Sequence, residues 1–338
     1  MTERNCTIDI FRYVCAIMVV AIHTAPFADI NENLGYIFTE VVPRIAVPFF
    51  FITSGFFYCR SLEKGTTKSK VYLFRLLKVY ALWGIVYYAI DFIKWGYMNL
   101  KGFITHCVYT FVITGSHYHF WFFPALIISA CFVTLLYKLK LNKAIVPIGI
   151  ILYIIGCLGC SYRGIGVHIP GLSALYEMES FTIIRRILLM GIPFFSAGMI
   201  VDKVRALISK YVNKKKVYAI LLSVAIILWL VEILLVNFFN LSDNIVITLG
   251  LYPLVAVTIA MLIEYPCPQY AKLAGLCHNL ADFTYYVHPL VILFLQMLAS
   301  AVSISLDHTP LFILTVVLSA CVGRAVYMCR SKLIGRKQ

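Results

Sequence analysis

Charge is scarce in this 338-residue sequence: Asp, Glu, Lys and Arg make up 13% of it, where a soluble domain carries about a quarter. Apolar residues fill 62%, and the mean hydropathy is +0.89. Too few polar residues remain to coat a soluble multidomain enzyme of this length, so that class is excluded. Acidic residues are scarcer still, 15 against 29 basic ones, which leaves a formal net charge of +14. The bases fall in short segments between apolar runs, where they orient a membrane protein. Anionic lipid headgroups, not nucleic acid, are their expected partner. Patterned cysteines are also missing. The eleven cysteines are scattered, and Cys157 and Cys160 form one CxxC with no second pair or histidine cluster to complete a metal site. They read as small buried hydrophobes, and no metal is expected. A cleavable leader is not evident: the first apolar run carries Arg12 in its body and lacks a small-residue cleavage pattern.

What is present is a series of apolar runs near the length at which a helix crosses a bilayer, about 20 residues. Spans are expected near 8–27, 41–59, 76–97, 119–137, 144–160, 181–201, 218–238, 245–263, 283–303 and 310–329. The stretch 103–115 is short and polar at its edges and reads as an interfacial or re-entrant piece before the fourth span. Basic residues alternate between connections. Arg60, Lys64, Lys68, Lys70, Arg75 and Lys78 flank the second, Lys138, Lys140 and Lys143 the fourth, and Lys203, Arg205, Lys210 and Lys214–Lys216 the sixth. Arg330, Lys332, Arg336 and Lys337 follow the last span, whereas the odd connections hold little beyond Lys94, Lys101 and Arg163. The expected fold is therefore all-α: a polytopic protein of the cell membrane with about ten transmembrane helices and both termini cytoplasmic. One transmembrane domain is expected over 1–338, with no appended soluble domain.

Ionisable groups inside spans are costly and point to function. In IDIFRYVCAIMVVAIHTAPF, Arg12 and His23 are eleven residues apart, about three turns and roughly 16 Å along one face. Singly, Arg12 can snorkel to headgroups and His23 can be a packing residue; their shared face favours a polar conduit. The second span holds Arg44 between Pro43 and Pro48, then Ser54-Gly55, which reads either as functional or as a device for close helix packing. Arg75 and Lys78, three apart, leave one side of a helix as it enters the membrane, suited to phosphates or to headgroups alike. GSHYHFWFFPALI places His117, His119 and Trp121 near the outer surface, where an aromatic belt also accounts for them. FTYYVHPLVILF puts His288 beside Pro289, in the inner part of the ninth span. Arg185 and Arg186 precede GIPFFSAG towards the outer side.

Taken in order, these segments resemble the acyltransferase-3 family of membrane acyltransferases. Arg12 and His23 match its R-x10-H, FFFITSGF its F-x-x-x-S-G-F/Y, and Phe74-Arg75 with Lys78 its F-R-x-x-K. HFWFFP at 119–124, PFFSAG and YYVHP at 285–289 complete the set. Within the family, the first, second and fourth spans are most similar to the membrane domain of serine racemases of the vancomycin-resistance type. Those carry a soluble racemase domain after the membrane part, and pyridoxal chemistry is not expected here. The resemblance implies transfer of an acyl group, commonly acetyl, from cytoplasmic acyl-coenzyme A (acetyl-CoA) to a hydroxyl of a glycan or small molecule beyond the membrane. It makes His23 the central catalytic residue, puts Arg12 on the donor path and gives Arg75 and Lys78 to the coenzyme A phosphates. Arg44, His119, Trp121 and His288 are candidates for the acceptor side. Two departures bear on donor binding: Lys78 stands where Arg is usual, and Tyr80, Ala81 and Leu82 close the segment without a proline. A transporter of a serine-like amino acid is the alternative; a scaffold leaves Arg12 and His23 without a purpose.

The charge alternation predicts the topology. Cysteines introduced at Lys68 and Lys214 should be shielded from impermeant reagent in intact cells, above the background of native thiols, while one at Arg163 should be labelled. External labelling at Lys68 and Lys214 would reverse the orientation.

Overall fold

Proline, glycine and polar side chains decide where the apolar runs begin, bend and meet in the computed structural model, which describes residues 5–65, 69–95, 99–242 and 244–335. Of the basic residues used above, Lys68, Arg336 and Lys337 lie outside these. Eleven apolar helices are described: α1 (Cys6–Thr24), α2 (Glu32–Glu63), α3 (Ser69–Trp95), α4 (Leu100–Thr114), α5 (Phe122–Lys138) and α6 (Ile145–Gly159), then α7 (Phe181–Ile208), α8 (Lys214–Phe238), α9 (Leu251–Glu264), α10 (Ala271–Ala301) and α11 (His308–Gly335). Eight of the helical segments are long and apolar enough to cross a membrane; α4, α5 and α9 are shorter. The chain is thus an all-helical, multi-pass membrane protein.

The helices form two compact units, residues 1–50 with 258–338 and residues 51–257. In the first, α1 packs chiefly on α10, and both pack on α11. Asn5 starts α1 by accepting the Ile8 N–H, while its amide and the Thr7 hydroxyl donate to the Leu262 carbonyl at 3.2 and 2.6 Å. Those bonds satisfy a carbonyl that the end of α9 leaves without a helical partner. At the other end of α1, the Thr309 hydroxyl accepts the Phe27 N–H at 2.8 Å, and His308 meets the Thr24 carbonyl. Contacts of Arg12 with residues 278–282 and of His23 with His288 make α1 and α10 parallel.

In the second unit, the Tyr80 hydroxyl on α3 donates to the Phe111 carbonyl at 2.7 Å and accepts the Ser116 N–H at 3.0 Å. Further along α3, Tyr88 donates to the Cys107 carbonyl and Phe92 packs on Phe103. α4 therefore runs back along α3, turns at Gly115 and returns through His117–Trp121 into α5. Gly115 has φ +97, and a Cβ there would lie 2.4 Å from the Trp121 nitrogen, so only glycine fits the turn. The FFFITSGF and PFFSAG segments meet directly. A Cβ on Gly55 would lie 1.9 Å from the Phe195 carbonyl oxygen, and one on Gly198 2.2 Å from the Phe56 nitrogen. The packing reading of Ser54-Gly55 is thus correct: two backbones touch, which small residues alone allow.

Several boundaries differ from the hydropathy reading: α2 begins at Glu32 rather than near 41, α7 runs to Ile208 rather than near 201, and three further helix starts have a visible cause. α10 begins at Ala271 rather than near 283 and α3 at Ser69 rather than near 76, because their first turns carry Lys272, His278 and Asp282, and Lys70 and Arg75. Hydropathy reads such turns as loop. α9 starts only at Leu251, since the Glu232 carboxylate takes the Leu249 and Gly250 N–H groups at 2.6 Å each and holds the preceding turn outside the helix. Glu232 also accepts from the Tyr162 hydroxyl at 2.7 Å.

Gly198→Ala should therefore destabilise the protein by about 1–3 kcal/mol through overpacking against backbone that cannot move aside. A lowered unfolding midpoint in detergent would register it. Gly84→Ala, whose new Cβ would meet side chains rather than backbone, Ser116 at 3.3 Å and Phe111 at 3.6 Å, should shift the midpoint far less.

Candidate active site

The parallel pair α1 and α10 carries two polar stations. At the first, the Arg12 guanidinium donates to Asp282 Oδ1 at 2.7 Å, and Nδ1 of His278 meets Asp9 Oδ1 at 2.9 Å. A carboxylate can only accept, so Nδ1 of His278 carries the proton and its 3.5 Å approach to Arg12 is a contact between donors. Asp9 is 7% exposed, whereas the Arg12 side chain keeps 31% of its surface. Arg12 is thus held by a carboxylate and still reachable. Asp9, His278 and Asp282 were not singled out from the sequence. The signal was there, in Asp9/Arg12 at i,i+3 and His278/Asp282 at i,i+4, each pair placing two polar side chains on one side of an apolar helix.

At the second station the His23 and His288 rings stack, centroids 5.4 Å apart and planes 18° from parallel. His288 is fully buried. Its place is explained by the next residue. Pro289 has no N–H, so the Tyr285 carbonyl four residues earlier loses its helical partner. Nδ1 of His288 lies 2.9 Å from that oxygen and 3.0 Å from the Thr284 carbonyl. Carbonyls accept, so the proton sits on Nδ1, and in the neutral ring Nε2 holds the lone pair. The YYVHP segment thus repairs a proline break with a side chain and fixes a tautomer in doing so. His288 belongs past the middle of α10, level with His23, and not to the inner part of its span, because α10 starts twelve residues earlier than hydropathy implies. Between the stations, α1 presents Ala16, Val19 and Val20, all buried and apolar. The shared face is therefore two separated stations and not a continuous polar conduit.

The remaining candidates are placed elsewhere. Arg44 pairs with Glu40 through both the carboxylate and the backbone carbonyl. Arg75 and Lys78 are exposed on α3, with Tyr80 and Tyr87 on its buried side. In the second unit, His119 is 3% exposed and its Nδ1 lies 3.2 Å from that of His117, with Tyr87 stacked on His117 at 4.3 Å. Trp121 lies under the Arg186 guanidinium, 5.3 Å from ring centroid to carbon. Among the described residues no group of three His, Cys, Asp or Glu side chains could hold a metal.

Known proteins resemble the chain in sequence along its whole length. An amino-acid racemase of Enterococcus faecalis is 30% identical over 344 aligned positions, which cover 100% of this chain and 48% of the relative. A further amino-acid racemase of that organism is 34% identical over 51% of this chain and 24% of its own length. A serine/alanine racemase of Enterococcus gallinarum is 31% identical over 49% and 24%. The chain spans about half the length of the relative it matches most extensively. No solved structure matches it. The acyltransferase-3 family, described as an acyltransferase domain, matches residues 7–328, taking in both stations, the Gly55–Gly198 crossing and the Arg75/Lys78 segment. The chain belongs to the acyltransferase-3 family.

Proposed function

We propose that this protein is a membrane O-acyltransferase that moves an acyl group, acetyl in the simplest case, from cytoplasmic acyl-coenzyme A to a hydroxyl of a glycan or small molecule at the outer side. The observation that carries the reading is the His23–His288 stack, on the same helix pair whose other station holds Arg12. An alcohol is a weak nucleophile, and an imidazole can accept its proton near neutral pH. The hydroxyl gives its proton to His23, its oxygen bonds the thioester carbon, and the departing thiolate takes the proton back. His288 stacks on His23 and keeps that ring in place. Arg12, anchored by Asp282 and partly accessible, guides the donor at the cytoplasmic end. Arg75 and Lys78 are exposed cations suited to coenzyme A phosphates.

The proposed topology has ten crossings. Parallel α1 and α10 require an odd number between them. α3 and α5 run antiparallel, since Tyr80 meets Phe123 and Tyr87 meets Phe120. α6 and α7 do too, since Gly149 faces Ser196 and Gly156 faces Leu189. With α4 folded back and α9 crossing, seven helices separate α1 from α10, and the basic ends of α2, α5, α7 and α11 face the cytoplasm.

His23→Gln should lower acyl transfer about a hundredfold or more while sparing acyl-coenzyme A binding, because an amide keeps hydrogen bonding but cannot act as base. Arg12→Lys should keep part of the activity, with the loss mainly in apparent donor affinity. Reconstituted protein that accumulates serine yet has no affinity for acyl-coenzyme A would overturn the reading in favour of a transporter. Arg75→Ala and Lys78→Ala should each weaken coenzyme A binding, and the difference from wild type should shrink as salt is raised. Unchanged affinity in the double variant would make these residues headgroup anchors.

A further inference from the structure

We infer that Arg185 and Arg186, together with Trp121, form a binding site for a phosphate group near the N-terminal end of α7. Both arginines lie in a seven-residue π-helical stretch, Arg185–Gly191, within the apolar segment α7. π-Helical turns are frequent at functional sites. Both arginines are half-buried, and they are neighbours in the chain. Among the described residues no carboxylate pairs with either one. Arg186 is instead held over the Trp121 ring at 5.3 Å. Two adjacent half-buried cations with no carboxylate partner among the described residues are costly in an apolar segment, and a bound anion lowers that cost.

The position is at odds with orientation by charge. Arg186 precedes Lys203 on the same helix by seventeen residues, about 26 Å at the rise of a helix, so it lies at the end opposite the Lys203/Arg205 cluster. Two positive charges and forked guanidinium donors suit a phosphate group, whose non-bridging oxygens carry the charge and accept from N–H groups. On the acyltransferase reading, on which this step rests, the phosphate belongs to the acceptor. Its source is either a lipid headgroup or a soluble phosphorylated molecule.

Purified protein in non-ionic detergent would be titrated with short-chain phosphatidylglycerol, with phosphatidylcholine and with inorganic phosphate. Saturable binding of phosphatidylglycerol or phosphate by the wild type is expected. Arg185→Gln and Arg186→Gln should each weaken it about tenfold, the worth of one charge-assisted hydrogen bond. Lys203→Gln should leave it unchanged. Arg186→Lys, which keeps the charge without the fork, should retain part of the affinity and serves where the glutamine variant fails to fold. Saturation by phosphatidylglycerol alone assigns a lipid-borne phosphate, and saturation by both assigns a soluble one. Equal affinity in wild type and the arginine variants, or only non-saturable wild-type binding, overturns the site. His23→Gln should bind the same probes normally, so failure of the acyl-transfer reading and failure of this site give different results.

Discussion

The 2.7 Å ion pair between Arg12 and Asp282 fixes where α1 lies along α10, and the chemistry proposed above depends on that register. A guanidinium in an apolar helix needs a partner, and Asp282 is within reach only when residue 12 lies beside 278–282; the His23–His288 contact then requires the helices to run in the same direction. From there the rise per residue brings His23, eleven residues on, to the level of His288. A shift of α10 by one turn would strand Arg12 and part the imidazoles together. The Asp9–His278 bond reads the same register a second time, and Asn5 and Thr7 tie the start of α1 to the last carbonyls of α9.

The second unit is ordered by a steric constraint instead of an electrostatic one. Gly55 and Gly198 bring two backbones together with no room for a methyl group. Ser196 stands between that crossing and α6, where Gly149 faces it. Two of the sequence segments that mark the family are thus the two halves of one contact. The nearest neighbours of both glycines are backbone atoms of the facing segment, which gives them an architectural place in the pattern.

The membrane class, the order of the apolar helices and the folded-back piece before α5 were legible because hydropathy and charge alternation act over many residues. Helix starts were less so, since the first turns of α3 and α10 are polar and resemble loops. That error moved His288 towards the wrong end of its span and hid His278 and Asp282. Arg12 and His23 could be singled out as costly, but their partners lie more than 250 residues away in the chain, and only packing brings them together. The conduit expected from the shared face of α1 was too strong a reading, because side chains such as Val20 separate the stations.

A single rule joins these features. In an apolar surrounding every broken helix must find substitutes for its backbone hydrogen bonds, and here the substitutes are specific side chains. His288 serves the carbonyl that Pro289 frees, Glu232 serves the N–H groups ahead of α9, and Tyr80 serves both strands of the turn at Gly115. In the first case the repair also sets a tautomer, so a structural need and a chemical one are met by the same ring. Arg185 and Arg186 do not follow the pattern: their charges are half-buried and compensate no broken backbone. Charge that finds neither a backbone role nor a carboxylate among the described residues is most simply balanced from outside the protein, which is why the same rule that makes His288 part of the framework makes these two arginines a site.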